Sequence, residues 1–268
     1  MADVSTVEVA VLVEAVSHMY AQRARVVRVL DGISLAIRRG EFVALVGPSG
    51  CGKTTLLDIL SGLVPLQSGR ALLAGTPPKP GRRDTARMFA RDALLPWLGA
   101  YRNVDFAART RRERGNDGGP AIRALLRDVG LEGFEEAYPR QLSQGMRQRV
   151  ALARTFSPQS EHIFLDEPFG ALDAQTKLVL QDKLLSLWER FRSTVVLVTH
   201  DLAEAVALSD RVIVMSARPG RIVADVAIDL PRPRSVRALQ SLREYHDIYA
   251  HLWQELESAA GTPSDNAP

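Results

Sequence analysis

The sequence predicts an α/β fold with a mostly parallel sheet, an N-terminal antiparallel β region and an inserted α-helical subdomain. Short apolar runs recur along the chain: FVALV (42–46), ARMFA (86–90), HIFLD (162–166), TVVLVTH (194–200) and RVIVM (211–215). Such runs mark strands buried on both faces, as in a parallel sheet covered by helices. Segments of helical period lie between them, at TTLLDILSGL (54–63), AIRALLRDVG (121–130), SQGMRQRVALARTF (143–156) and TKLVLQDKLLSLWERF (176–191). Strands alternating with helices argue for a parallel α/β sheet. From about residue 98 to 156 no strand signal breaks the helical pattern, which predicts the insertion.

The N-terminal VEVAVLVEAV (7–16) alternates apolar with polar residues, and so does GISLAI (32–37); both read as half-buried strands. RERGNDGGP (112–120) is a flexible loop by composition. Near the end, SVRALQSLREYHDIYAHLWQELES (235–258) places Val236, Leu239, Leu242, Tyr245, Ile248, Leu252 and Leu256 on one face of a helix. The final GTPSDNAP (261–268) is expected to be disordered. This divides a single domain into a core of about 8–97 and 157–230, a helical subdomain of about 98–156, and a C-terminal helix and tail over 231–268.

The chain has 268 residues, 46% of them hydrophobic and 24% charged, which suffices for a full core. No window approaches the length of an apolar membrane span. The N-terminus has no basic region, and Glu8 and Glu14 flank or interrupt its apolar run, so it is not a signal peptide and the chain is expected in the cytosol. A single cysteine, Cys51, excludes an internal disulfide and agrees with a reducing compartment. Net charge is +3, with arginine runs at RTRRERG (109–115) and PRPRSVR (231–237). Neither run is interleaved with stacking aromatics, so no nucleic-acid partner is expected. They read as solvated linkers, suited to facing an acidic membrane surface.

GPSGCGKTT (47–55) follows a buried strand and opens a helix, and it fits G-x-x-x-x-G-K-[ST]. A triphosphate needs several backbone N–H groups converging on it, and Gly47, Gly50 and Gly52 let the chain wrap that tightly. The helix that follows points its N-terminal dipole at the anion. Lys53 supplies a charge-assisted donor to the β- and γ-phosphates, and Thr54 offers a hydroxyl to Mg²⁺. Pro48, Ser49, Cys51 and Thr55 complete the nucleotide-contacting run. Cys51 reads as a loop filler beside the phosphates whose modification blocks nucleotide, rather than as a nucleophile. HIFLDEP (162–168) ends a strand in two carboxylates. Beside a phosphate loop, Asp166 is placed to hold Mg²⁺ and Glu167 to polarise an attacking water as general base. His200 stands at the C-terminal end of another buried strand, the edge where α/β sheets bind ligands, and is read as a γ-phosphate contact.

Those residues, with LSQGMRQRVALAR (142–154) upstream of FLDEPFGALD (164–173), resemble the ATPase subunit of ABC transporters over about residues 8–225. The resemblance implies a P-loop NTPase core of RecA-like type, with ATP and Mg²⁺ as cofactors. It puts Tyr20 where an aromatic stacks on adenine, Asp166 and Glu167 in the Walker B segment, Asp173 in the D-loop, and His200 as the switch histidine. Ser143, Gln144 and Gly145 fall on the signature motif; Ser143 can cap the next helix, whose free N–H groups make an anion site. In the family that site faces the nucleotide of the other subunit, so the resemblance implies a head-to-tail homodimer.

FARDALLPWL (89–98) falls on the Q-loop, beside the groove where such ATPases receive short helices of a membrane-spanning permease. Leu94, Leu95 and Trp97 suit that docking; alternatively, Trp97 packs into the chain's own helical subdomain. The family's metal-contacting glutamine aligns with Ala90, which can contact neither Mg²⁺ nor water. Either Asp92 reaches the metal instead or the glutamine is dispensable here. Gln144 also stands where the signature usually has glycine, and it crowds the phosphate approach.

LLPW (94–97) and EAVALSDRVIVMSARPGRIV (204–223) are most similar to bacterial importers of nitrate, aliphatic sulfonates and taurine, a subgroup that also serves pyrimidine precursors. The large C-terminal β-domain of sugar-importer ATPases is missing, which points away from sugars. The resemblance implies separate permease chains, a periplasmic or lipid-anchored solute-binding protein, and a peripheral place on the cytoplasmic face of the bacterial inner membrane. An exporter ATPase and a non-hydrolysing sensor are the competing readings; Glu167 and His200 argue against the sensor. A soluble DNA-repair or translation ATPase would show paired cassettes or a coiled-coil insertion, and neither is seen.

Overall fold

The computed structural model describes residues 8–22, 25–111, 118–170 and 172–260. The expected loop at 112–120 lies largely, and the expected disordered tail wholly, outside the described residues. The chain opens with β1 (Val9–Gln22), β2 (Arg25–Arg38) and β3 (Phe42–Val46), then α1 (Lys53–Leu60), β4 (Ser68–Leu73) and β5 (Thr85–Met88). Residues 98–156 carry α2 (Ala100–Ala108), α3 (Gly119–Asp128) and α4 (Gln144–Phe156), with no strand among the described residues. The chain then alternates through β6 (His162–Asp166), α5 (Ala174–Phe191), β7 (Thr194–Val198), α6 (Leu202–Leu208) and β8 (Arg211–Met215). It closes with β9 (Ile222–Ala227), α7 (Val236–Leu239) and α8 (Arg243–Ala260).

Among the described residues the strands form two sheets, one of three strands in the order β2-β1-β4 and one of six in the order β5-β6-β7-β3-β8-β9. The first is antiparallel; the second is parallel except for β9, which runs against β8. Successive side chains of a strand point to opposite faces, and β3 shows why its run is continuously apolar. Phe42, Ala44 and Val46 enter the core shared with the helices, whereas Val43 and Leu45 enter the core shared with α1 and the antiparallel sheet. β7 divides likewise, Val195 and Leu197 to one side and Val196 and Val198 to the other. Each such valine, leucine or phenylalanine contributes about 1.5–3 kcal/mol through burial, so a polar residue at either parity would disturb a core.

Trp188 of α5 locks the helical layer to the sheet. Its indole donates to the Ser193 carbonyl at 2.9 Å, Phe42 meets it edge-on, and the Arg232 guanidinium lies 4.1 Å over its ring. The expected continuous C-terminal helix is a correction: it breaks between α7 and α8, and Leu242 in the break is exposed. Val236, Leu239, Tyr245 and Leu252 are buried as the pattern implied. Burial pushes the Tyr245 phenol up to about 12, so it acts only as a neutral donor, toward the Ala203 carbonyl of α6.

Candidate active site

Strands β6, β7 and β3 are neighbours in the sheet and parallel, so their C-terminal ends share one edge. β3 delivers the phosphate loop, β6 delivers Asp166 and Glu167, and β7 delivers His200. Crossovers in parallel sheets make this edge the ordinary place for a ligand. Gly52 begins α1 at φ 110, and a Cβ there would stand 2.6 Å from Leu30 of β2; only glycine fits. The loop therefore hugs the antiparallel sheet, and the first N–H groups of α1 face outward as an anion site.

A cleft of about 300 Å³ opens beside the loop, lined by Tyr20, Ser49, Gly50, Gly52, Lys53, Thr54, Thr55, Glu167 and Arg218, among others. Lys53 is buried, its Nζ donating to the carbonyls of Gly47 at 2.7 Å and Pro48 at 3.1 Å. Thr54 Oγ1 donates to Asp166 Oδ1 at 3.1 Å. Glu167 adopts φ 45, a left-handed backbone that costs a non-glycine residue about 1–3 kcal/mol. Its N–H donates to the Val198 carbonyl at 2.9 Å, and its Oε2 lies 3.4 Å from His200 Nδ1. His200 is thus brought to the carboxylate rather than left alone at the strand end. Tyr20, which also lines the cleft, packs edge-on against His18 with ring centroids 4.7 Å apart. Burial holds the His18 imidazole below its ordinary 6.5, and neither ring nitrogen has a hydrogen-bond partner among the described residues.

Ser143, Gln144, Gly145 and Asp173 do not line this cleft. Ser143 caps α4, accepting from the Met146 N–H at 3.2 Å, and Ser143 and Gln144 are exposed. A Cβ on Gly145 would meet Thr176 Cγ2 at 2.6 Å, so glycine lets α4 and α5 begin side by side. Asp173 caps α5; hydrogen bonding from Thr176 holds its carboxyl below the usual range.

Three expectations need correcting. The Cys51 side chain is 1% exposed and packs into the core beneath the loop, so only its backbone is placed to face a phosphate. Its thiol is consequently expected to resist alkylation in the folded protein with or without ATP, as read by mass spectrometry; rapid labelling that ATP suppresses would show instead that the thiol faces the nucleotide. Asp92 does not turn toward Thr54 or Asp166: its Oδ2 accepts from Arg147 Nε of α4 at 2.9 Å, which orients it into the helical layer. Leu94 is buried and unavailable for docking, Leu95 is half-buried, and Trp97 is 69% exposed rather than packed into the chain's own helices. Ala90 is exposed.

Several contributors escaped sequence reasoning. Buried Asn103 of α2 bonds the backbone of Leu95, Leu98 and Gly99 and so shapes the segment carrying Trp97. Arg218 donates through Nε and Nη2 to the Gly50 carbonyl, both at 3.0 Å, and roofs the phosphate loop. The residues flanking His200 are tied down by a polar cluster. Thr199 Oγ1 donates to Glu204 at 2.5 Å, and Lys177 of α5 reaches Glu204 at 2.9 Å and Asp201 at 3.1 Å. Burial pushes the Glu204 carboxyl up, against the pull of Thr199 and Lys177. Burial also opposes the Lys177 charge, yet its two carboxylate partners prevail and raise it. The only sequence signal was an acid within the apolar LAEAVAL of α6.

A phosphate loop, a paired hydroxyl and carboxylate, and a second carboxylate beside a histidine at one sheet edge define a nucleotide-binding ATPase of the P-loop class. The ABC transporter family model matches residues 30–170, and the chain belongs to that family. It is 44% identical over 244 residues to an uncharacterized ABC transporter ATP-binding protein of Methanocaldococcus jannaschii, covering 91% of each chain. It is 40% identical to the taurine import ATP-binding protein TauB of Rhizobium johnstonii, over 92% of this chain and 99% of that one. Identity to the aliphatic sulfonates import ATP-binding protein SsuB of Bacillus cereus is 36%, over 92% and 96% of the two chains. A dimeric ATP-binding cassette solved in a post-hydrolysis state with ADP and Pi superposes with a TM-score of 0.73 at 30% identity, covering 82% of this chain and all of that one. The protein is therefore an ATP-hydrolysing cassette subunit with the fold expected from its sequence. No helix among the described residues is long and apolar enough to cross a membrane.

Proposed function

We propose that the protein energises a bacterial ABC importer for a small anionic solute, of the alkanesulfonate, taurine or nitrate kind. The observation that carries the catalytic part is Glu167, held at a strained backbone angle on the cleft wall with Oε2 3.4 Å from His200. Glu167 accepts the proton of the attacking water, and His200 orients Glu167 and meets the γ-phosphate. Lys53 and the loop N–H groups bind the β- and γ-phosphates, and Tyr20 takes the adenine. Thr54 Oγ1 and Asp166 Oδ1, 3.1 Å apart, form a hard oxygen pair that fits Mg²⁺, whose other ligands come from phosphates and water. The metal, when bound, neutralises charge on the transferring phosphoryl group.

The exposed Ser143 and Gln144, with half-buried Gly145 beside them, lie outside the cleft and support a homodimer in which this segment closes over the partner's nucleotide, with Asp173 nearby. Trp97 supports docking of a separate permease at the cytoplasmic face of the membrane, with a solute-binding protein on the other side. The importer direction and solute class rest on the relatives named for taurine and aliphatic sulfonate import. When the protein is reconstituted with its permease, binding protein loaded with taurine or an alkanesulfonate is expected to stimulate ATP hydrolysis. Stimulation only by a neutral sugar or a pyrimidine, or outward solute movement, would overturn this reading.

A further inference from the structure

Arg87 on β5 is three residues before Ala90, and its side chain is 8% exposed. It does not stack idly in the sheet edge. Its Nη2 donates to Asp166 Oδ2 at 3.0 Å, the carboxylate oxygen that Thr54 leaves free. Its Nη1 is bound to Asp58 of α1 and to Ser61 Oγ, the latter at 2.9 Å, while Phe89 covers the guanidinium at 5.0 Å. Asp58, Ser61 and Phe89 thus fix a full positive charge against the carboxylate that would face Mg²⁺. Ala90 offers no such contact, and Asp92 is turned away to Arg147.

We propose that Arg87 is a positioning residue and resident counter-cation for Asp166, setting how strongly the phosphate site discriminates between free and Mg²⁺-bound nucleotide. This rests on the ATP-site reading above. The direction follows from charge. With Arg87 present, Asp166 is largely neutralised: it repels a metal-free nucleotide tetra-anion less, and it attracts a dication less. Removing Arg87 unmasks a buried carboxylate, which disfavours the free anion and favours the metal. Loss of one carboxylate's orientation is the smaller effect, because repulsion between a guanidinium and a dication across one carboxylate is hardly screened at this depth.

The test is the dissociation constant of a fluorescent ATP analogue, measured in EDTA and in saturating Mg²⁺ with purified full-length protein. In Arg87→Met the ratio of the EDTA value to the Mg²⁺ value is expected to rise about tenfold. In Arg87→Lys, which keeps the charge but cannot bridge two carboxylates, it should stay within about threefold of wild type. Asp58→Asn removes the competing anion and throws the guanidinium charge onto Asp166, so the ratio should fall about threefold. The opposed signs separate this role from a structural one, which would weaken both constants together and leave the ratio unmoved. An unmoved ratio in folded Arg87→Met overturns the proposal; if that variant fails to fold, an unmoved ratio in Asp58→Asn does so. Wild-type protein that binds no nucleotide would sink the ATP-site reading itself, whereas wild-type binding with unresponsive variants would sink only the role of Arg87.

Discussion

Glu167→Gln is expected to cut steady ATP hydrolysis by about 10²–10⁴-fold, the usual worth of a positioned general base. The substitution is nearly isosteric, so the loop geometry that carries the left-handed residue should persist, with the Val198 carbonyl still accepting its N–H. The change is chemical: an amide cannot take the proton that leaves the attacking water. It also removes one negative charge from the cleft wall, so nucleotide should bind at least as tightly as to wild type. Dimers closed by nucleotide would then persist, because only cleavage opens them. Phosphate release and light scattering in Mg²⁺-ATP read the two effects together. Turnover within about threefold of wild type would remove Glu167 as the base. Loss of hydrolysis without persistent dimers would leave the base in place and remove the shared-site arrangement.

The features that locate this site were legible because each is local in the chain. The phosphate loop, the acid pair after an apolar strand and the histidine after another all lie within a few residues of strand ends. Strands β3, β6, β7 and β8 announced themselves because side chains of both parities enter a core. β4 and β9 were not anticipated. The first half of β4 is exposed, and β9 alternates half-buried with exposed residues on the edge of its sheet, so neither makes an apolar run. The terminal helix misled because periodicity alone says nothing about a break that tertiary packing imposes. Leu94 and Trp97, three residues apart, looked alike in the sequence; Asn103 fixes the segment so that one points inward and the other out. The Arg87 arrangement was beyond reach for a different reason. Its partners lie 29 and 79 residues away, and a buried ion pair leaves no pattern in a single chain.

Lys53→Ala should weaken ATP binding by about 100-fold, equivalent to about 2.7 kcal/mol at 1.36 kcal/mol per tenfold. The size of the loss follows from where the ammonium sits. It is buried beneath the loop, with the carbonyls of Gly47 and Pro48 as its hydrogen-bond acceptors. A cation so placed is screened far less than one on the surface, and hydrogen bonds to charged groups contribute about 1.5–3 kcal/mol each. Two consequences separate its role from that of Glu167. The alanine variant should fail at the binding step, so raising ATP concentration restores part of its hydrolysis, whereas no ATP concentration restores Glu167→Gln. The double variant should resemble Lys53→Ala in failing to dimerise at nucleotide concentrations that hold Glu167→Gln together. Folding is the competing explanation, since two loop carbonyls lose their donor. A melting temperature within a few degrees of wild type, beside a hundredfold loss of affinity, would assign the loss to the phosphates. Unchanged affinity in a folded Lys53→Ala protein would mean that the loop does not hold the nucleotide through this charge.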